Sequence, residues 1–122
     1  MKRPALTLSL VAALGLIAQP GLAQSAADGK TAFATCAACH GTKAGEKKVG
    51  PTLAGVVGRK SGSLPGFAYS PALAKAGKVW SPAQLDAFLA APMKVVPGTR
   101  MVIAVPDAKR RADLIAYLAT LK

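Results

Sequence analysis

Apolar positions follow two kinds of pattern along this chain. Leu6 to Ala18 is a predominantly apolar run of 13 residues, preceded by Lys2 and Arg3 and followed by Pro20, Gly21 and Leu22-Ala23. A basic start, an apolar centre and a break before a small residue is the order of a secretory signal. The run falls short of the roughly 20 residues a membrane-crossing helix needs. Residues 1–23 are therefore expected to be a signal peptide, cleaved near Ala23, with an uncleaved N-terminal anchor as the alternative. Beyond it, short helical patterns alternate with long glycine-bearing connections. Ala26, Ala27, Ala32, Phe33 and Ala34 favour a helix between Ser25 and Thr35, with Ser25 or Asp28 near its start. Ser70-Pro71 reads as an N-cap and a proline at the first helical position, predicting a short helix through Lys75 that ends near Gly77. Ser81-Pro82-Ala83-Gln84 repeats the device and adds a capping box, and Leu85, Phe88 and Leu89 continue at helical spacing until Pro92 stops the helix. Asp107 can cap a last helix, on which Leu114, Tyr117, Leu118 and Leu121 recur at i, i+3, i+4 and i+7. Gly41 to Gly50 and Gly50-Pro51 through Gly66 read as loops and turns. No repeat and no strand-rich region appears. The pattern predicts an all-α, single-domain fold with long loops over residues 24–122.

Length and charge narrow this picture. Residues 24–122 number 99, which suits one domain. A chain of that size buries only a modest core, and a large apolar cofactor at its centre would supply much of the missing buried surface. The whole chain has 16 basic and 5 acidic residues, a net charge of +11. Without Lys2 and Arg3 the balance is 14 against 5, a net +9. A basic surface steers acidic partners. The export signal, the low aromatic content of 5% and the lack of a nucleic-acid-binding motif argue against nucleic acid.

The chemistry is concentrated in Cys36-Ala37-Ala38-Cys39-His40, two thiols and an imidazole within five residues. This spacing reads as a covalent c-type haem attachment site. Each thiol can add across one vinyl group, and the imidazole that follows directly can reach the iron from one face. A redox disulfide is one competing reading, but such motifs usually accompany a βαβ pattern, which is not visible here. A zinc site is another, but zinc wants about four ligands and the chain has no further Cys or His. The second axial position suits a methionine thioether, because His/Met ligation fits an electron-transfer haem. Met93 and Met101 are the candidates, and either could be core packing instead. Met101 ends the Pro97-Gly98-Thr99-Arg100-Met101 turn, a strap able to lay a side chain onto iron, whereas Met93 lies beside Pro92 and Lys94.

These motifs, with Gly50-Pro51-Thr52-Leu53, Gly58-Arg59-Lys60-Ser61-Gly62, Pro65-Gly66-Phe67-Ala68-Tyr69, Trp80 and Asp113-Leu114-Ile115-Ala116-Tyr117-Leu118, occur in the order found in class I, mitochondrial-type cytochromes c. The chain resembles a soluble bacterial periplasmic member of that family from about Gly29 to its C-terminus. The resemblance implies a fold in which N- and C-terminal helices cross and long loops wrap one haem c, held through Cys36 and Cys39. It implies His40 and Met101 as the iron ligands, and the Pro51 carbonyl as acceptor for the other ring N–H of His40. Arg59, Tyr69 and Trp80 would hydrogen-bond haem propionates, and Thr99 would line the cofactor site. Gly29 and Phe33 would cross Leu114 and Tyr117, and Lys48, Lys94 and Arg100 would rim the exposed haem edge. Departures from the family pattern are Phe88 in place of a frequent Tyr, Leu73 in place of a buried Asn and Ile103 in place of an aromatic. Thr35, Met93 and Asp107 stand where lysines are usual, and one residue is missing between Met101 and Asp113.

The implied function is single-electron transfer without bond chemistry, by a monomer in the periplasm. Its acidic redox partners would be a cytochrome bc complex, a terminal oxidase, a dehydrogenase or a reaction centre. An enzyme or gas sensor with an open haem, and a module without haem, are the competing classes. Visible spectra separate them.

Overall fold

Helix α1 (Ala26–Ala32) begins where the sequence provides a cap. Ser25 Oγ accepts the Asp28 N–H at 3.1 Å, satisfying one of the donors that a helix start leaves without an intrahelical partner. The computed structural model describes Met1 and residues 24–122, so the expected leader falls outside the described residues except for Met1. A 3₁₀ turn over Phe33–Thr35 continues α1 and delivers the chain to Cys36. Helix α2 (Pro71–Ala74) and helix α3 (Pro82–Ala90) both carry proline at the first helical position, with Ser70 and Ser81 as caps. In α3, Ser81 Oγ accepts the Gln84 N–H at 3.2 Å, but the Ser81 N–H goes to the Val79 carbonyl, so one half of the expected box forms.

Pro92 ends α3 as expected, and it also does something the pattern did not suggest. It opens a further helix, α4 (Pro92–Val95). Its missing N–H costs nothing at a first turn, where that donor has no partner anyway. Helix α5 (Ala108–Leu118) starts at Asp107, whose Oδ1 accepts the Arg110 N–H at 2.7 Å.

Helices α1 and α5 make the central crossing. A Cβ added at Gly29 would strike the Asp113 carbonyl oxygen and lie 2.8 Å from Tyr117 Cβ, so a side chain there would force the helices apart. Beside this approach the Phe33 and Tyr117 rings pack with centroids 5.4 Å apart. Asp113 is buried at the same crossing and accepts the Ser25 N–H at 2.8 Å and the Lys109 ammonium at 2.6 Å. The hydrogen bond from Lys109, and then that from Ser25, hold its carboxyl below the usual range. Leu114 and Leu118 on the predicted face of α5 join Phe33, Trp80, Leu85, Phe88 and Leu89 in one buried cluster. Among the described residues there is no strand. An isolated bridge pairs Lys60 with Val79, and no helix is long and apolar enough to cross a membrane.

Candidate functional site

The segment carrying the thiols is wound tightly by its own backbone. The Cys39 and His40 N–H groups both donate to the Cys36 carbonyl, at 3.1 and 2.9 Å. The chain then loops back so that the Gly50 N–H donates to the Cys39 carbonyl at 2.7 Å. That return places the Pro51 carbonyl 2.8 Å from His40 Nδ1. A carbonyl only accepts, so Nδ1 carries the proton and Nε2 keeps a free lone pair. Burial lowers the His40 pKa, the Pro51 bond opposes this, and the Arg59 charge adds to the lowering. The net effect favours the neutral ring that a metal ligand requires. Gly50 is needed at this return for lack of space: a Cβ there would lie 2.5 Å from His40 Cε1 and 2.7 Å from Nδ1.

His40 opens onto a cavity of about 340 Å³. Its wall includes Cys36, Cys39, Pro51, Arg59, Tyr69, Trp80, Thr99 and Met101, so the residues expected to hold the cofactor line one space, while Met93, Lys48 and Lys94 are outside it. The rest of the wall is largely apolar, with Phe33, Leu53, Val56, Leu73, Leu85, Phe88, Leu89, Leu114 and Leu118. Both cysteines are free of a disulfide. Among the described residues no three His, Cys, Asp or Glu side chains converge as a metal site. Of the two candidate methionines, Met101 is in the wall and packs against the core, whereas Met93 is 55% exposed on α4. The Met101 strap is fixed by the Thr99 N–H to the Val96 carbonyl at 3.0 Å and by the Met101 N–H to Thr99 Oγ1 at 3.3 Å.

The polar wall residues are brought together by backbone pairing. The Trp80 N–H donates to the Arg59 carbonyl at 2.9 Å and the Gly58 N–H to the Trp80 carbonyl at 2.8 Å. Arg59 Nη1 donates to the Thr52 and Ala54 carbonyls at 3.0 and 3.2 Å, two bonds of a five-donor fork that cannot lose its charge in water-accessible protein. The Tyr69 hydroxyl accepts the Leu64 N–H at 3.1 Å, which leaves its own proton to donate. An apolar cavity with two thiols, a neutral imidazole, a thioether and a small set of donors fits a haem joined to the chain.

The residues at the mouth are less uniform than expected. Arg100 is in the wall, and its Nη1 donates to the Ala68 carbonyl at 3.0 Å. Lys48 is outside the wall, its ammonium donating to the Ala37 carbonyl at 2.9 Å. Lys94 is exposed on α4 outside the wall. Three apolar wall residues, Val49, Val102 and Ile103, are 81%, 64% and 56% exposed, so the cavity reaches the surface through an apolar mouth. Nothing in the sequence marks Val49 or Val102, because isolated valines in loops carry no spacing signal.

The cytochrome c family model matches residues 26–122. The chain belongs to the cytochrome c family, class I. It is 52% identical over 97 residues to cytochrome c2 of Rhodopila globiformis, covering 78% of this chain and 92% of that one. It is 48% identical over 96 residues to cytochrome c2 iso-2 of Magnetospirillum fulvum, covering 79% and 98%. Among solved structures it is similar to cytochrome cH from Methylobacterium extorquens, with a TM-score of 0.75 at 50% identity over 79% of this chain and 98% of that one. As a class I cytochrome c it is an electron carrier and not an enzyme, and its cofactor is covalently attached haem c.

Proposed function

We propose that residues 24–122, exported by the 1–23 leader, form a soluble, monomeric periplasmic carrier of single electrons. Haem c is joined through Cys36 and Cys39 and ligated by His40 and Met101. When bound, haem supplies the one-electron redox couple, and the chain sets its potential and access. His40 gives its Nε2 lone pair, held in line by the 2.8 Å contact of Nδ1 with the Pro51 carbonyl, the observation that supports this reading most strongly. Met101 would supply the second ligand through its thioether sulfur, so that small molecules would find no open position. Arg59 and the free Tyr69 proton, with Trp80, offset the charge of the propionates inside an apolar wall. Thr99 holds the Met101 backbone.

The exposed apolar mouth of Val49, Val102 and Ile103 lies on a chain with net charge +9 after export. It suits close contact with an acidic redox partner, such as a cytochrome bc complex, a terminal oxidase, a dehydrogenase or a reaction centre. Nucleic acid and stable membrane insertion have no place in this reading. The test is Met101→Ala beside Met93→Ala. Met101→Ala is expected to bind carbon monoxide when reduced and to lose the ferric methionine–iron charge-transfer band, while Met93→Ala keeps the wild-type spectrum. Loss in Met93→Ala alone would overturn the ligand assignment.

A further inference from the structure

The segment after Met101 has little regular structure to hold it. Residues 102–107 form neither helix nor strand, and Val102, Ile103, Ala104 and Pro106 are exposed. One side chain ties the segment down. Arg111, on the first turns of α5, donates from Nη1 to the Val105 carbonyl at 2.9 Å and to the Pro106 carbonyl at 2.8 Å. Its Nε donates to Asp86 Oδ1 on α3 at 2.8 Å. The Arg111 side chain is 12% exposed. The Val105 N–H donates to the Leu89 carbonyl at the end of α3, at 2.8 Å. A single planar fork therefore joins α5, α3 and the return of the strap, a geometry that a lysine point charge cannot copy.

We propose that Arg111 is a positioning residue for Met101: it anchors the C-terminal side of the strap and so sets how readily Met101 gives up its place beside the cofactor. This rests on Met101 being the second ligand. The N-terminal side has its own anchors in Thr99 and in the Arg100 contact with Ala68. Arg111 is their counterpart, and because it stands one turn into α5 it lends the strap the rigidity of the α1–α5 crossing.

The experiment is imidazole titration of the ferric holoprotein, read by absorbance, since imidazole enters where the thioether leaves. Arg111→Gln is expected to bind imidazole on the order of tenfold more tightly than wild type, a change of about 1.4 kcal/mol. Asp86→Asn, which removes the charge and weakens the fork's hold on α3 while leaving its two carbonyl contacts, should shift affinity the same way by less. Arg111→Lys should fall between wild type and Arg111→Gln. Lys109→Gln is the control on the same helix: it breaks the Lys109–Asp113 pair and should lower the unfolding midpoint with imidazole affinity unchanged. Wild-type affinity in both Arg111→Gln and Asp86→Asn, or an equal shift in Lys109→Gln, would overturn the role of Arg111. If wild type binds imidazole as tightly as Met101→Ala, the ligand assignment fails first and the proposal falls with it.

Discussion

The His40 and Met101 segments face the same cavity and are built in opposite ways. His40 is fixed by contacts close in sequence: its N–H to Cys36, its ring to Pro51 11 residues away, and the Gly50–Cys39 return between them. The Met101 strap has short-range contacts through Thr99 as well, but it is tied to the rest of the fold by contacts distant in sequence, Arg100 to Ala68 across 32 residues and Arg111 to Asp86 across 25. Local contacts re-form with little loss of chain entropy, whereas distant ones exist only while the helices are docked. The imidazole side is therefore the more firmly built of the two, and the strap is the side expected to open first, since local opening draws on segments with few buried contacts.

The largest effect should come from removing what both segments enclose. Cys36→Ser with Cys39→Ser should abolish covalent haem, because the chain has no other thiol. Haem staining after denaturing electrophoresis is the measurement, and stain persisting on the double variant would refute the attachment assignment. The apolar wall would then lose its filling, so the variant should also unfold at lower temperature.

A smaller effect is expected from loading the rigid side alone. Gly50→Ala puts a Cβ 2.5 Å from His40 Cε1, with Cys39 O at 3.0 Å behind it. The ring cannot retreat and keep its 2.8 Å contact with the Pro51 carbonyl. Overpacking of this kind costs about 1–3 kcal/mol, to be read as a lower urea midpoint of the holoprotein. If the His40 side instead yields as easily as a strap, Gly50→Ala will leave the midpoint unchanged and the contrast between the two segments collapses.

The same contrast explains what could be read from sequence. Cys36, Cys39 and His40 were legible because their chemistry is local, and the caps at Ser25, Ser70, Ser81 and Asp107 were legible for the same reason. On the thioether side, residue pattern left Met93 and Met101 open until family resemblance favoured one. Helix α4 was missed because Pro92 was read as a stop, although Pro71 and Pro82 had already been read as starts. Arg111 and Asp86 gave no signal, since two charges 25 residues apart look like ordinary solvated surface until α3 and α5 dock. Asp113 is buried between Ser25 and Lys109, a role that depends on the α1–α5 crossing.

The smallest and sharpest probe is Phe88→Tyr, which adds one oxygen to the wall. Phe88 is buried, lines the cavity and packs its ring on Trp80 with centroids 4.9 Å apart and planes at 54°. The new hydroxyl has two choices. If it donates to the Met101 sulfur, it competes for a lone pair that Fe(III) needs more than Fe(II) does, so the reduced state gains and the potential rises. A differential of about 1.4 kcal/mol would be about 59 mV for one electron, and a weak bond to sulfur should give less. If it finds no partner, a buried unpaired hydroxyl costs about 1–3 kcal/mol of stability and leaves the potential near wild type. Spectroelectrochemical titration and urea unfolding of the same sample tell these apart. A yielding strap can move its sulfur toward the phenol, so a raised potential with an unchanged midpoint is the expected result. A lowered potential with the methionine–iron band intact would show that Phe88 does not face the sulfur, and that the strap is held away from α3 more firmly than its few contacts imply.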